Sequence, residues 1–295
     1  MKIAVNLWTI YGWKPEDTLS EDVLNKLKIF GAEGIELIMD EHHFAMDKLL
    51  ESLPRFSSYL QRYGLDASGV ATGLFWQYNP GSQQPEVREK VLQIIRNECK
   101  IAQAYGAPIV LVIPGMQESR VDYNQTYETA VKTIRQGAEY AAEYNVTIGL
   151  ENVATNFLQS PREFIKFLRD VDSPNVRAYF DMGNVLAAHQ DYPENWICTL
   201  GERILCVHAK DYDKANTSPS GFRLCGKGSL DWMEIFTALR RVSYDGFVVI
   251  ETPPGNGVGV ALETGLQAAK LGIDWLREYV MIEGVNTLHR EEHIE

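Results

Sequence analysis

Short runs of branched apolar residues alternate along the chain with longer stretches of mixed character. Because a strand covered by helices on both faces is apolar through its middle, each short run is predicted to be a buried strand. Eight such runs occur, at Lys2–Leu7, Gly34–Met39, Asp66–Val70, Pro108–Ile113, Thr147–Glu151, Arg177–Asp181, Ile204–His208 and Phe247–Glu251.

The stretches between these runs have the periodicity of amphipathic helices. Pro85–Tyr105 and Tyr123–Tyr144 place apolar residues three or four positions apart, which gives each stretch one apolar face. Two further helices are predicted to begin at Ser160-Pro161, where an N-cap residue precedes a proline, and near Asp231. The pattern is therefore strand and helix in strict alternation.

This alternation implies parallel strands joined by right-handed crossovers. Closure into a barrel is favoured over an open sheet because no GxGxxG motif follows the first strand. A length of 295 residues suits a single (β/α)8 barrel. We predict an α/β fold with one barrel domain over residues 1–280 and a polar C-terminal appendage over residues 281–295.

The charge balance narrows the class of partner. The chain has 28 Lys and Arg against 40 Asp and Glu, a net charge of −12, and no run rich in Lys or Arg. Nucleic-acid binders usually present a basic face, so nucleic acid is not expected as a partner. No stretch approaches the ~18 uninterrupted apolar residues of a membrane span, so no membrane partner is expected either.

The cysteines and the N-terminal sequence indicate the cellular compartment of the protein. Cys99, Cys198, Cys206 and Cys225 form no CxxC pair and no zinc spacing, which favours reduced thiols. The opening sequence MKIAVNLWTI lacks the long apolar region and small-residue cleavage site of a signal peptide. Both observations predict a cytoplasmic protein.

Candidate chemistry lies where the predicted strands end, since barrels of this kind carry their active sites at the carboxyl ends of the strands. Four consecutive strands each end with a group that can bind a metal, namely Glu151, Asp181, His208 and Glu251. One such residue would normally be a helix cap or a hydrogen-bonded loop residue, but four at equivalent places predict a shared site. Three carboxylates and one imidazole suit Mn²⁺ first, with Mg²⁺, Co²⁺ or Zn²⁺ as alternatives.

The motifs around these residues resemble those of the xylose isomerase-like TIM-barrel superfamily of sugar phosphate isomerases and epimerases. The similarity covers nearly the whole chain, and its specific segments are ENVATN, FDMGN, VHAKD, FRLCGKGSLDW and IETP. The resemblance implies that the four residues bind one divalent metal and that Glu151 and Glu251 also act as acid and base. The implied reaction moves a proton beside a carbonyl, while the metal stabilises the enediolate.

The resemblance also suggests substrate contacts. Arg223 lies in a segment similar to the RxxGKG motif of ketose 3-epimerases, where the matching arginine touches sugar oxygens, and Lys227 is a second cation in that loop. Glu36, Asn184 and Trp13 are further candidates for substrate binding. Asn184 stands where 3-epimerases of free hexuloses carry a histidine, which favours pentulose phosphates or other polyols.

The expected function is that of a metal-dependent sugar or sugar-phosphate isomerase or epimerase, ketose 3-epimerase-like, with a small-molecule partner. An inosose-type polyol dehydratase or isomerase would use the same metal and bases. A phosphodiesterase of the endonuclease IV kind would need several histidines at strand ends, where only His208 falls. A non-catalytic sugar-binding barrel would not need both glutamates. The resemblance further implies a homodimer or homotetramer.

Overall fold

The structure, a computed structural model, describes residues 1–12, 20–42, 44–216, 219–252 and 261–281. Eight parallel strands close a barrel in the order β1-β10-β7-β6-β5-β4-β3-β2, and β8 with β9 forms a separate antiparallel pair. The strands are β1 Lys2–Asn6, β2 Gly34–Met39, β3 Asp66–Thr72, β4 Ile109–Val112, β5 Thr147–Glu151, β6 Val176–Asp181, β7 Ile204–Ala209, β8 Asp211–Tyr212, β9 Phe222–Arg223 and β10 Phe247–Ile250.

Helices cover the outside of the barrel and pack their apolar faces against the strands. The α-helices within the described residues are α1 Leu7–Tyr11, α2 Glu21–Phe30, α3 Met46–Tyr63, α4 Pro85–Tyr105, α5 Tyr123–Glu143, α6 Pro161–Val171, α7 Met182–Ala187, α8 Pro193–Leu200, α9 Trp232–Arg241 and α10 Leu262–Val280. The predicted single-domain TIM barrel is thereby confirmed.

Side-chain caps explain several element boundaries. Asn6 ends β1 one residue earlier than predicted, because its side-chain oxygen accepts a hydrogen bond from the backbone N–H of Trp8 at 2.7 Å and caps α1. Ser160 caps α6 in the same way, as the sequence predicts, and Asp231 caps α9, whose start the sequence placed near this residue.

The interior of the barrel is filled with apolar side chains that form a cluster distinct from the helix-facing core. Its members are Ala4, Ala71, Ile109, Leu111, Tyr179, Cys206 and Val249. Layers of this kind close a barrel to solvent along its axis. Polar side chains that point inward near the strand ends therefore have this apolar cluster beneath them, on the barrel axis.

The segment after β7, from which the sequence predicted only a loop that carries Arg223 and Lys227, folds back as a short hairpin. Strands β8 and β9 pair antiparallel, with Asp211 opposite Arg223. The buried Asp211 carboxylate holds the rest of the segment, residues 224–232, against the barrel. It accepts hydrogen bonds from the N–H groups of Tyr212 (2.8 Å), Leu230 (3.1 Å), Gly226 (3.1 Å) and the Trp232 indole (3.0 Å).

Two sequence predictions fall outside the described residues. These are the substrate contact of Trp13 and, apart from Met281, the polar appendage over residues 281–295. Within the described ranges, no helix combines the length and apolar character needed to cross a membrane.

Candidate metal centre

The structure brings the four predicted ligands together at one end of the barrel. The strands β5, β6, β7 and β10 are neighbours around the barrel, so their carboxyl ends meet along one edge. One donor atom each from Glu151, Asp181, His208 and Glu251 lies within 4.8 Å of the other three. Four residues spread over a hundred positions of sequence thus form one compact cluster.

The four side chains differ in their access to solvent. Asp181 and His208 are completely buried, whereas 7% of the Glu151 side chain and 13% of the Glu251 side chain are exposed. The two glutamates are therefore the members of the cluster that a molecule entering from solvent can reach.

The imidazole of His208 directs Nδ1 toward the cluster. Nδ1 lies 3.2 Å from Glu151 Oε1, 3.4 Å from Glu251 Oε2 and 3.8 Å from Asp181 Oδ2. The other ring nitrogen, Nε2, lies 2.8 Å from a carboxylate oxygen of Glu36. Nδ1 is consequently the nitrogen that is placed to bind a metal.

Lys210 brings a cation into the same cluster. Its Nζ lies 2.6 Å from Asp181 Oδ2 and 2.5 Å from Glu251 Oε2, and its side chain is 7% exposed. Gly183 permits this arrangement, since a Cβ atom there would lie 2.7 Å from both Lys210 Cγ and the Lys210 carbonyl oxygen. The sequence shows Lys210 only as a neighbour of His208, and its bridging position follows from the packing of α7.

Crowding of buried carboxylates shifts the protonation of the whole cluster. Burial, reinforced by the charge of Glu251, raises the pKa of Glu151 to about 7 and also raises the pKa of Asp181. Burial acts to lower the pKa of His208, yet the charges of Glu251 and Glu36 raise it well above its usual value. The crowded carboxylates therefore favour the binding of a proton or of another cation at this site.

The donor set fits a divalent cation. Three carboxylates and one imidazole provide three oxygen ligands and one nitrogen ligand, a combination that hard and borderline divalent ions accept. Asp181 Oδ2 is completely buried, and its partner is the Lys210 ammonium at 2.6 Å. A buried carboxylate is costly unless a cation compensates its charge, so this position already favours positive charge.

Two asparagines hold the ends of β5 and β6 in register. Asn152 exchanges two 2.8 Å hydrogen bonds with the backbone of Asp181, and the Asn184 backbone N–H donates to Asp181 Oδ1 at 2.7 Å. The Asn184 amide nitrogen lies 3.0 Å from the Asn152 carbonyl oxygen and 3.4 Å from Glu151 Oε1. Asn184, a predicted substrate contact, is thus placed directly beside a predicted metal ligand.

The predicted substrate contact of Glu36 does not fit the structure. Glu36 is completely buried in the barrel, on the Nε2 side of His208. Its carboxylate also accepts hydrogen bonds from Asn6 Nδ2 and from the Tyr179 hydroxyl, which leaves no face open to a substrate. The sequence pattern showed that Glu36 ends a strand, but it did not show which side chain lies across the barrel.

The remaining predicted substrate residues lie on the segment after β7. Arg223 is 34% exposed, with Nη2 3.3 Å from Asp213 Oδ2 and Nη1 2.6 Å from the Ser220 carbonyl oxygen. Lys227 is exposed in the turn that follows. Because β9 pairs with β8 directly beyond the end of β7, both cations belong to the rim of the end that carries the cluster.

A closed barrel of eight parallel strands, with a carboxylate and imidazole cluster at the ends of four neighbouring strands, defines a recognised class of barrel protein. The model of the xylose isomerase-like TIM barrel family matches residues 24–279 of this chain. The chain belongs to that family.

The chain is similar to sugar epimerases in sequence and in fold. It is 27% identical to a putative L-ribulose-5-phosphate 3-epimerase, SgbU, of Haemophilus influenzae, over 80% of this chain and 85% of that protein. The fold matches a D-psicose 3-epimerase with D-tagatose from Clostridium cellulolyticum (TM-score 0.76, 18% identity, 95% and 99% coverage). It also matches an IOLI protein with a bound zinc atom (TM-score 0.78, 17% identity, 96% and 100% coverage).

A third solved structure has a different activity in its description. It is the probable 3-DHS dehydratase AsbF from Bacillus anthracis, with a TM-score of 0.74, 19% identity, and coverage of 94% of this chain and 98% of that one. Neighbours at these identities share the fold, and the reaction must be argued from the site.

Proposed function

We propose that this protein is a metal-dependent epimerase or isomerase of sugars or sugar phosphates, which acts by proton transfer beside a carbonyl. The observation that carries the proposal is the cluster of Glu151, Asp181, His208 and Glu251, in which the two glutamates alone reach solvent. The similarity to a putative L-ribulose-5-phosphate 3-epimerase supports it.

One divalent ion would be held by the carboxylates of Glu151, Asp181 and Glu251 and by Nδ1 of His208. When bound, the ion stabilises negative charge on two adjacent substrate oxygens as a Lewis acid. Mn²⁺ is the ion we propose first, because three of the four donors are carboxylates. Asp181 and His208, which are fully buried, serve as ligands without contact to the substrate.

Glu151 and Glu251 are the proposed acid and base. They extend from β5 and from the end of β10, and strands β6 and β7 separate them around the barrel. A substrate carbon that lies over the cluster would therefore have one carboxylate on each side. One glutamate removes the proton, and the other returns a proton to the opposite face, which inverts the carbon.

The proposed substrate is a pentulose or its phosphate. Asn184, in place of a histidine, is small and lies beside Glu151, where its amide can contact a hydroxyl of the substrate. Arg223 and Lys227 on the rim supply positive charge for the distal hydroxyls or for a phosphate.

Solvent exchange tests the proposal directly. Pentuloses and their 5-phosphates are incubated with the enzyme and Mn²⁺ in D₂O, and the products are separated by chromatography and analysed by NMR. The expected product carries one deuterium at the inverted carbon. Glu151→Gln and Glu251→Gln are each expected to reduce turnover about 10²- to 10⁴-fold, since each removes an acid or base. A product without solvent deuterium would contradict the two-base reaction.

A polyol dehydratase is the second candidate, and the position of Lys210 favours it. Its ammonium group lies within 2.6 Å of two ligand oxygens, where it can protonate a hydroxyl that leaves as water. Loss of water would produce an unsaturated or deoxy product, which the same NMR assay distinguishes from an epimer. Lys210→Met is expected to abolish dehydration if this candidate is correct.

The assembly and location stay predictions. A homodimer or homotetramer in the cytoplasm is proposed, and sedimentation velocity of the purified protein measures the assembly state. A monomer at micromolar concentration would contradict this part of the proposal.

A further inference from the structure

His208 has a carboxylate partner on the side that faces away from the cluster. Its Nε2 lies 2.8 Å from Glu36 Oε2, and both side chains are completely buried. We propose that Glu36 is a positioning residue, which fixes the imidazole of His208 as the Nε2–H tautomer and so directs the Nδ1 lone pair at the metal. This inference rests on the metal centre of the proposed function.

The chemistry of the pair determines the tautomer. A neutral imidazole has one nitrogen that donates and one that accepts, whereas a carboxylate accepts only. At 2.8 Å from a carboxylate oxygen, Nε2 must therefore carry the hydrogen. Nδ1 faces the three carboxylates of the cluster, with Glu151 Oε1 at 3.2 Å, so a divalent ion bound there would take the Nδ1 lone pair in place of a proton. The opposite tautomer would place the Nε2 lone pair against Glu36 Oε2 inside a buried site.

The groups that surround the Glu36 carboxylate are hydrogen-bond donors. Asn6 Nδ2 donates to Oε2 at 2.5 Å, and the hydroxyl of Tyr179 donates to Oε1. Three donors on one carboxylate hold it in place and leave it in the role of acceptor. Gly69 makes room for the arrangement, since a Cβ atom there would lie 3.2 Å from Glu36 Oε1.

Neighbouring elements prevent the pair from rotating. Asn6 also caps α1 through its Oδ1, so its amide has one fixed orientation. The Tyr179 ring lies 4.5 Å from the His208 ring, centroid to centroid, at an angle of 55°. The imidazole is thus held by a hydrogen bond at one edge and by an aromatic ring on its face. Partners of this kind typically change metal affinity 10- to 100-fold when they are removed.

Metal affinity is the first measurement. The Kd for Mn²⁺ is obtained by competition with a fluorescent chelator for the wild type, Glu36→Gln and Glu36→Ala. We expect affinity to fall about 10-fold in Glu36→Gln, whose carbonyl oxygen can still accept, and up to about 100-fold in Glu36→Ala. Tyr179→Phe keeps the ring and the carboxylate, so a smaller loss is expected.

Glu98→Gln is the matched control. Glu98 is an equally buried glutamate, but it has no hydrogen bond to any cluster residue among those the structure describes. Its Kd for Mn²⁺ is expected to stay within twofold of the wild type. Circular dichroism must show that each variant is folded, and equal Kd values for the wild type and a folded Glu36→Ala would overturn the inference.

Nitrogen NMR of the imidazole supplies a readout that a purely structural role would not change. In the Zn²⁺-loaded wild type, His208 is expected to show a proton on Nε2 and a metal-bound Nδ1. A metal-bound Nε2 would overturn the inference even if the enzyme is active. Conversely, a wild type that binds metal with this tautomer but epimerises no sugar would refute the proposed function and leave the role of Glu36 intact.

Discussion

At the scale of single residues, identical carboxyl groups behave differently because their partners differ. Glu36 accepts hydrogen bonds from three donors, and Glu151 lies beside His208 in a cluster with two further carboxylates. Glu98 is just as buried, yet neither of its oxygens has a hydrogen-bond partner among the described residues. Burial, together with the charge of Glu36, raises the pKa of Glu98 well above its usual value.

This raised pKa predicts a pH-dependent cost to stability. Above pH 4.5 the unfolded chain has released the Glu98 proton, whereas the folded protein still holds it. The free energy of unfolding of the wild type should therefore decrease with rising pH by about 1.4 kcal/mol per unit from this group, up to the folded pKa. Glu98→Gln removes this dependence, so the variant should gain stability over the wild type as pH rises from 5 to 8.

Urea unfolding at several pH values measures the effect. Glu89→Gln, at an exposed position of the same helix, is the control and should follow the wild type at every pH. If the free energy of unfolding changed with pH equally in the wild type and in Glu98→Gln, Glu98 would have an ordinary pKa in the folded protein.

Arg223 carries a second prediction at this scale. Its guanidinium is a third exposed and is held by Asp213 at the rim. Arg223→Ala is expected to raise KM about 10- to 100-fold, because a charged hydrogen bond to substrate contributes roughly 1.5–3 kcal/mol. Bound metal should be unchanged. Arg169→Ala, exposed on α6, should leave KM as it is, and an unchanged KM in Arg223→Ala would exclude the contact.

At the scale of elements, the sequence predicted what local pattern encodes. Helix α4 spans the predicted residues 85–105, since a proline at its start and Gly106 after its end, in the left-handed conformation, mark both boundaries. The strands were found to within two residues because they are apolar and lie between such signals. The hairpin of β8 and β9 was missed, since its strands have two residues each and show no periodicity.

The hairpin segment predicts a test of the role of Asp211. Asp211→Asn replaces one acceptor oxygen with an NH₂ group. In one orientation of the amide this group faces the N–H groups of Gly226 and Trp232, and in the other it faces those of Tyr212 and Leu230. Amides of residues 224–230 should exchange with deuterium at least tenfold faster, and KM should rise because Arg223 is less well held.

Ser229→Ala is the control for this experiment. Ser229 lies in the same segment, and its hydroxyl accepts a hydrogen bond from the Lys214 N–H at 3.2 Å. Exchange there should change little. Protection equal to that of the wild type in Asp211→Asn would mean that the apolar contacts of the segment, rather than the carboxylate, hold it in place.

At the scale of the whole molecule, closure of the barrel determines how much of the site was predictable. The cluster could be predicted because neighbouring parallel strands bring their carboxyl ends to one edge. The contact of Glu36 with His208 could not, since it crosses the barrel between β2 and β7 and joins residues 172 positions apart. The role of Lys210 depends on packing against Gly183 of α7, a contact that the local pattern of neither segment shows.

The proposed metal centre predicts that a divalent ion stabilises the barrel. Four neighbouring strands each supply one donor, and the unfolded chain does not hold these donors together, so the ion would bind the folded state preferentially. At 100 times its Kd, a ligand of this kind stabilises the folded state by about 2.7 kcal/mol. For a chain of this size, that free energy corresponds to a rise in Tm of roughly 4–5 °C.

Thermal unfolding with EDTA and with Mn²⁺ measures this rise. For each variant, the difference between the two Tm values reports the effect of the metal alone, since other effects of the mutation are present in both conditions. Asp181→Asn keeps the shape of the ligand but removes its charge, so its Tm should change by less than about 2 °C on addition of Mn²⁺. Asp47→Asn, at the exposed start of α3, should retain the full rise. An equal rise in the wild type and in Asp181→Asn would place the bound metal elsewhere on the protein.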